Sequence, residues 1–250
     1  MTAPCGSPGA PYPTGVLRSG PFRATLLLAF IASNFRPHRQ TAHMSLAYQH
    51  IFEPGSDPSA PPLLLLHGTG GTEHDLLRLG RALSPGSALL SPRGNVSENG
   101  AARFFARIAE GVFDPAEIIQ RTHALADFLL AAEKRYAFEL PRLTSVGFSN
   151  GANISVTLML LRPELLAQAI LLRGMVVLDQ TAAPGSLTGK RALLLNGSVD
   201  PLVPLDHPPR MANLLRAGGA DVTVHLIPAS HQFTPQDLAV AKDWLAAESR

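Results

Sequence analysis

Residues 143–151 constrain this 250-residue chain more than any other stretch. An apolar run at 143–148 ends in Gly147-Phe148-Ser149-Asn150-Gly151, and a helix-like run at 152–161 follows at once. A strand that passes straight into a helix leaves little room at the bend. A Cβ at position 147 or 151 would collide with the neighbouring strand or helix, so glycine is needed at both. The turn forces Ser149 into a strained conformation, with its hydroxyl pointing away from the sheet. Asn150 can offer its backbone N–H to an anion at the helix start. The alternative is a Gly-rich turn around a buried, hydrogen-bonded serine.

The rest of the chain supplies elements of the same kind. Residues 62–66 are a continuous apolar run, as in a central strand of a parallel sheet, and lead into His67-Gly68-Thr69-Gly70-Gly71. Short strands are expected at 46–52, 87–90, 167–172, 191–195 and 222–227, the last alternating enough to lie near an edge. Helices are expected at 72–83, 207–217 and 235–247, the last capped by Thr234. Asp114-Pro115-Ala116-Glu117 gives an N-cap, a proline at the first helical position and an acid at the third, starting a helix that runs to about 136. Residues 96–113 read as loop. Alternating strands and helices argue for an α/β fold, a mostly parallel sheet with helices on both faces. The connections are too short for a large cap domain.

Hydrophobic residues make up 46% of the chain, too many for disorder and enough for one sizeable core. The formal charge is +2, but residues 1–43 hold Arg18, Arg23, Arg36, Arg39 and no acid, leaving 17 basic and 19 acidic residues beyond them. The basic balance therefore belongs to that segment and is no nucleic-acid footprint. Cys5 is the only cysteine, which excludes an intrachain disulfide and a cysteine-rich zinc site. Residues 24–32 are apolar but too short to span a bilayer. Residues 1–43 read as an extension, either disordered or arising from an upstream start, with a signal or transit role left open; 44–250 read as one domain. A cytoplasmic location is the expectation.

In such sheets ligands bind beyond the carboxyl ends of the strands. The polar residues expected there are His67 to Gly71, Arg93, Ser149, Arg173, Asp200 and His231. Ser149, Asp200 and His231 occur in the chain order nucleophile, acid, base. A serine hydroxyl is a weak nucleophile; an imidazole must take its proton, and a carboxylate must orient that imidazole. Asp206 is the nearest rival acid, expected at a helix start. His225 falls inside a strand and His123 inside a helix. His67 reads as a structural residue organising the Gly-rich loop. The backbone N–H groups of Thr69 and Asn150 are the candidate oxyanion donors. The Gly-rich loop lacks the Lys-Ser/Thr ending of a P-loop and the spacing of a dinucleotide fingerprint. Arg93 and Arg173 could clamp a substrate carboxylate or form ion pairs at the sheet edge. Phe104, Phe105, Met175 and Leu202 are candidate pocket walls, or ordinary packing.

Taken together, His67-Gly68-x-Gly70-Gly71, Gly147-x-Ser149-x-Gly151, Gly197-x-x-Asp200-x-x-Val203-Pro204 and a histidine after the last strand resemble the α/β-hydrolase superfamily. Within it the chain is similar to the phospholipase/carboxylesterase group, related to dienelactone hydrolases. Pro92-Arg93-Gly94-Asn95-Val96, Glu98-Asn99-Gly100 and Arg103-Phe104-Phe105 look like a bacterial subgroup of small carboxylesterases linked to hydroquinone or aromatic catabolism. One departure is Ser230, where such enzymes usually have Gly before the catalytic His. The resemblance implies a three-layer α/β-hydrolase fold, ester hydrolysis through an acyl-enzyme, and neither metal nor organic cofactor. The expected partners are a small-molecule ester and, at most, a second copy of the chain. A dienelactone-hydrolase-like or thioester-cleaving activity would use the same three residues. A non-catalytic binding protein would be expected to have lost one of them.

Overall fold

The computed structural model describes residues 46–247. The expectation for residues 1–43 lies outside them. Strand β2 (Leu63–Leu66) is the centre of the architecture. Its four leucines are fully buried, alternating between the two faces of the sheet. Such a strand survives only when both faces are covered.

The main sheet has seven strands in the order β1-β3-β2-β6-β7-β8-β9. They are β1 (His50–Glu53), β3 (Leu89–Pro92), β6 (Thr144–Phe148), β7 (Gln168–Leu172), β8 (Arg191–Gly197) and β9 (Asp221–Ile227) besides β2. Only β1 is antiparallel, pairing His50 with Pro92; every other neighbour pair is parallel. As expected, the last strand is an edge. The carboxyl ends of β2, β6, β7 and β8 therefore lie side by side.

Helices α2 (Pro115–Tyr136), α3 (Asn150–Leu161) and α4 (His207–Ala217) cover one face through Ile118, Leu125, Phe128, Leu158, Met211 and Leu215. Helices α1 (Leu77–Leu83) and α5 (Pro235–Ala246) cover the other through Leu77, Leu83, Ala241 and Trp244. Asp114 caps α2, accepting from the Ala116 N–H at 2.9 Å, with Pro115 at its first position. Thr234 and Asp237 form a reciprocal capping box on α5.

Three elements depart from expectation. The strand expected at 46–52 is shorter and later, His50–Glu53. The helix expected from 72 begins only at Leu77. Thr72 Oγ1 bonds Asp75 Oδ1 at 2.8 Å and accepts the His74 N–H at 3.3 Å, and such local bonds compete with helix. Residues 96–103 form a hairpin, β4 (Val96–Glu98) and β5 (Ala101–Arg103), rather than a loop. Its two-residue turn is Asn99-Gly100, both at positive φ, 51° and 87°. That is the backbone a tight hairpin requires.

Candidate active site

The bend after β6 sets Ser149. A Cβ on Gly151 would lie 2.0 Å from the Leu66 carbonyl oxygen of β2; one on Gly147 would lie 2.5 Å from the Gly151 oxygen. With both glycines present, Ser149 adopts φ 53° and ψ −115°. Backbone strain of this kind costs on the order of 1–3 kcal/mol and is kept only where the surroundings enforce it. They do so here. The Ser149 N–H donates to Leu172 O on β7 at 2.8 Å, and its carbonyl accepts from Asn153 N at 3.0 Å. Asn150 heads α3, so its N–H has no intrahelical acceptor.

Two further strand ends bring the partners. Asp200 follows β8, and its side chain is wholly buried. One carboxylate oxygen accepts the N–H groups of Leu202 at 2.8 Å and Val203 at 3.3 Å. The other lies 2.7 Å from His231 Nδ1. His231 follows β9, and its Nε2 lies 2.9 Å from Ser149 Oγ. A carboxylate can only accept, so Nδ1 carries the imidazole proton and Nε2 is left to accept from the hydroxyl. The Phe148 ring packs against the imidazole with centroids 5.5 Å apart.

The loop after β2 lies beside the serine. His67 holds it from beneath, as its structural reading requires. Nε2 accepts the Gly94 N–H at 2.9 Å, so the proton is on Nδ1, which donates to Gly68 O at 2.6 Å. Burial lowers the His67 pKa and keeps the ring neutral. The hairpin braces the loop from its other side. The Gly70 N–H donates to Ala102 O at 2.9 Å, and Arg103 Nη1 donates to Thr69 Oγ1 at 2.7 Å. The Thr69 N–H has no backbone acceptor among the described residues.

These groups border one cavity of about 340 Å³. Thr69, Ser149, Asn150 and His231 line it, together with Met175, Leu202 and Phe148. Phe148 also borders a more apolar hollow of about 620 Å³, walled by Leu76, Leu79, Phe233 and Leu238. Phe104 and Phe105 are not among the cavity walls; they are buried, with Phe104 against His67 and Phe105 against Phe113.

Both arginines proposed as carboxylate clamps are already committed elsewhere. Arg173 is 1% exposed, at φ 55°, and all five of its guanidinium N–H groups are used. Two go to Asp237 at 2.8 Å each, one to Leu195 O at 3.0 Å, and two to carbonyls flanking His231: Ser230 O at 3.0 Å and Gln232 O at 2.8 Å. Arg173 therefore holds the histidine loop from within the protein and has no donor left for a substrate. Arg93 is paired with Glu73, which also accepts from Gln49 at 2.9 Å, and it is absent from the cavity lining. Asp206 stands at the N-cap of α4 and pairs with Arg210 at 3.3 Å.

The sequence reading gives no site role to three residues that shape the site. Asn153 accepts the Met175 N–H at 2.8 Å, fixing the loop after β7. Asp237 completes the Arg173 pair. Arg103 reaches the Gly-rich loop because the hairpin folds back over it; the Asn99-Gly100 pair was the available signal. Among the described residues no group of three or more His, Cys, Asp or Glu could hold a metal, and no helix is long and apolar enough to cross a membrane.

Known proteins share this arrangement of strands and helices. The phospholipase/carboxylesterase family model matches residues 47–249. A Bacillus subtilis protein named "Putative hydrolase MhqD" is 40% identical over 196 residues, 78% of this chain and 96% of the relative. The crystal structure of a Bacillus cereus carboxylesterase is 39% identical with a TM-score of 0.78, over 80% of this chain and 94% of that one. A Mesorhizobium loti carboxylesterase is 35% identical with a TM-score of 0.75, over 81% and 96%. Fold and sequence agree across nearly the whole length of these relatives, and the chain belongs to the phospholipase/carboxylesterase family of α/β-hydrolases.

Proposed function

We propose that the protein is a serine hydrolase that cleaves carboxylic esters of small or medium size through an acyl-enzyme. The observation that carries the reading is the single imidazole bridging two other side chains, 2.7 Å from a buried carboxylate and 2.9 Å from the strained serine. In this reading His231 Nε2 removes the Ser149 proton as Oγ attacks the ester carbonyl carbon. The Thr69 and Asn150 N–H groups stabilise the oxyanion of the tetrahedral intermediate. His231 then returns the proton to the departing alcohol, leaving an acyl-serine. Water attacks that acyl group by the same route in reverse roles, releasing the acid and restoring Ser149. Asp200 holds the imidazole tautomer and stabilises the imidazolium. Neither step calls for a metal or an organic cofactor.

The domain we assign to this chemistry is 44–250, and the family match over 47–249 supports that boundary. The cavity of about 340 Å³ lies at the lower end of ligand-pocket sizes, which favours small substrates. The test is a panel of p-nitrophenyl esters, thioesters and lactones, assayed with wild type and Ser149→Ala. Esters should be the preferred class. Loss of the nucleophile should cost on the order of a millionfold in turnover. Equal turnover by the Ser149→Ala protein would overturn the mechanism, and a preference for thioesters or lactones would reassign the substrate class.

A further inference from the structure

Strand order divides the cavity into two unlike walls. The order β3-β2-β6-β7-β8 places Ser149 in the middle. Beyond β7 and β8 the wall is apolar, Met175 and Leu202. On the β2–β3 side it is charged, with Arg103, Arg107 and Glu110 carried by the hairpin and the segment after it. Resting on the hydrolase reading, we infer that the substrate carries a second oxygen acceptor on the arm that enters the β2–β3 side, and that Arg103 binds it.

Arg103 is 3% exposed yet lines the cavity. Its Nε donates to Phe105 O at 3.0 Å and lies 3.2 Å from Glu98 Oε2; its Nη1 donates to Thr69 Oγ1 at 2.7 Å. A guanidinium has five N–H groups and always bears its charge. Among the described residues nothing accepts from Nη2. The contrast with Arg173, whose every donor is used inside the protein, is direct. Nη2 is not among the buried side-chain atoms left without a partner, so it is open to the cavity; an alkyl group pressed against it would strip its hydration with no acceptor in return, which an incoming oxygen supplies.

The charges on this wall cancel in pairs. Arg103 faces Glu98, and Arg107 is paired with both Glu98 and Glu110. The wall thus selects for a hydrogen-bond acceptor, which either a carboxylate or a neutral carbonyl oxygen provides. Nη1 already bonds Thr69, so this acceptor binds beside the proposed oxyanion donors and belongs close to the scissile carbonyl.

The experiment compares kcat/KM for matched esters ending in a methyl, a ketone or a carboxylate. p-Nitrophenyl pentanoate, levulinate and monoglutarate vary the acyl arm; acetate esters with the same three endings vary the alcohol arm. Wild type should favour an oxygen-bearing ester over its alkyl match by about tenfold to a hundredfold on one arm. The ketone and carboxylate members distinguish neutral from anionic acceptors. Arg103→Met should bring that ratio to about one, and Arg103→Lys should keep part of it. The ratio is the readout because either change also removes the Thr69 contact and lowers turnover on every ester. A wild-type ratio near one on both arms overturns the inference, as does a ratio unchanged in Arg103→Met. Should the Met variant not fold, the wild-type and Lys ratios decide. Hydrolysis with a flat ratio defeats this inference alone; absence of both hydrolysis and fluorophosphonate labelling defeats the hydrolase reading beneath it.

Discussion

Arg173→Met tests the claim that the His231 loop is held from inside the protein. The change leaves the Asp237 carboxylate, fully buried, without its cation, and leaves Ser230 O and Gln232 O without their donors. Removing one partner of a buried pair costs about 3–5 kcal/mol, because the remaining charge is uncompensated. For a domain of this size that corresponds to a melting temperature lower by roughly 6–20 °C. Urea denaturation followed by circular dichroism measures the loss of free energy, and a thermal melt the drop in temperature. The double change Arg173→Met with Asp237→Leu removes the orphaned charge, and should cost less than the two single changes summed by about 1–3 kcal/mol. Arg173→Lys keeps a charge but cannot fork to both carbonyls and the carboxylate. It should lower kcat with little change in KM, since Arg173 touches no substrate. An unfolding free energy for Arg173→Met within about 0.5 kcal/mol of wild type, the scale of an ordinary surface change, would refute the reasoning. A raised KM with unchanged kcat would return Arg173 to the pocket.

Two further predictions concern the neighbouring loops. Gly151→Ala sets a methyl 2.0 Å from the Leu66 carbonyl oxygen, in backbone that cannot swing aside, and should destabilise the fold by about 3 kcal/mol or more; an unchanged melting temperature would show that the bend can open. Burial lowers the pKa of His67, and that of His207, below the value of about 6.5 expected in the unfolded chain. Below that pH the unfolded state binds protons that the folded state excludes, so stability is present above about pH 6.5 and is lost as pH falls towards the lowered values. Denaturation midpoints across pH 5 to 8 should show this fall, and His67→Gln should flatten part of it; an identical slope in the variant would remove His67 as a cause.

What could be read from the chain, and what could not, follows the range of the interactions involved. The bend at Gly147–Gly151, the capping signals at Asp114 and Thr234, and the apolar strand before His67 are local, and the structure contains each element they imply. Asp200 and His231 are singled out by their places after strands, a local signal read against one rule of sheet topology, and the structure links both side chains to Ser149 in one hydrogen-bonded chain. Arg173 was ambiguous for a physical reason. An arginine after a strand can face a ligand or a buried acid, and its acid, Asp237, lies 64 residues away on α5. Arg103 raised the same problem across 34 residues, reaching Thr69 only once the hairpin is formed. The Asn99-Gly100 turn carried that information locally, in the positive-φ pair that two-residue hairpins need. The late start of α1 is also local: the Thr72 hydroxyl takes the His74 N–H while donating to the Asp75 carboxylate.

The most direct measurement is the site of a covalent adduct. A fluorophosphonate added to the folded protein should raise its intact mass by one adduct, and peptide mapping should find that adduct on Ser149 alone; Ser149→Ala should remain unmodified, and His231→Ala should react far more slowly. Folded wild type that stays unlabelled, or an adduct on any other residue, would contradict the account.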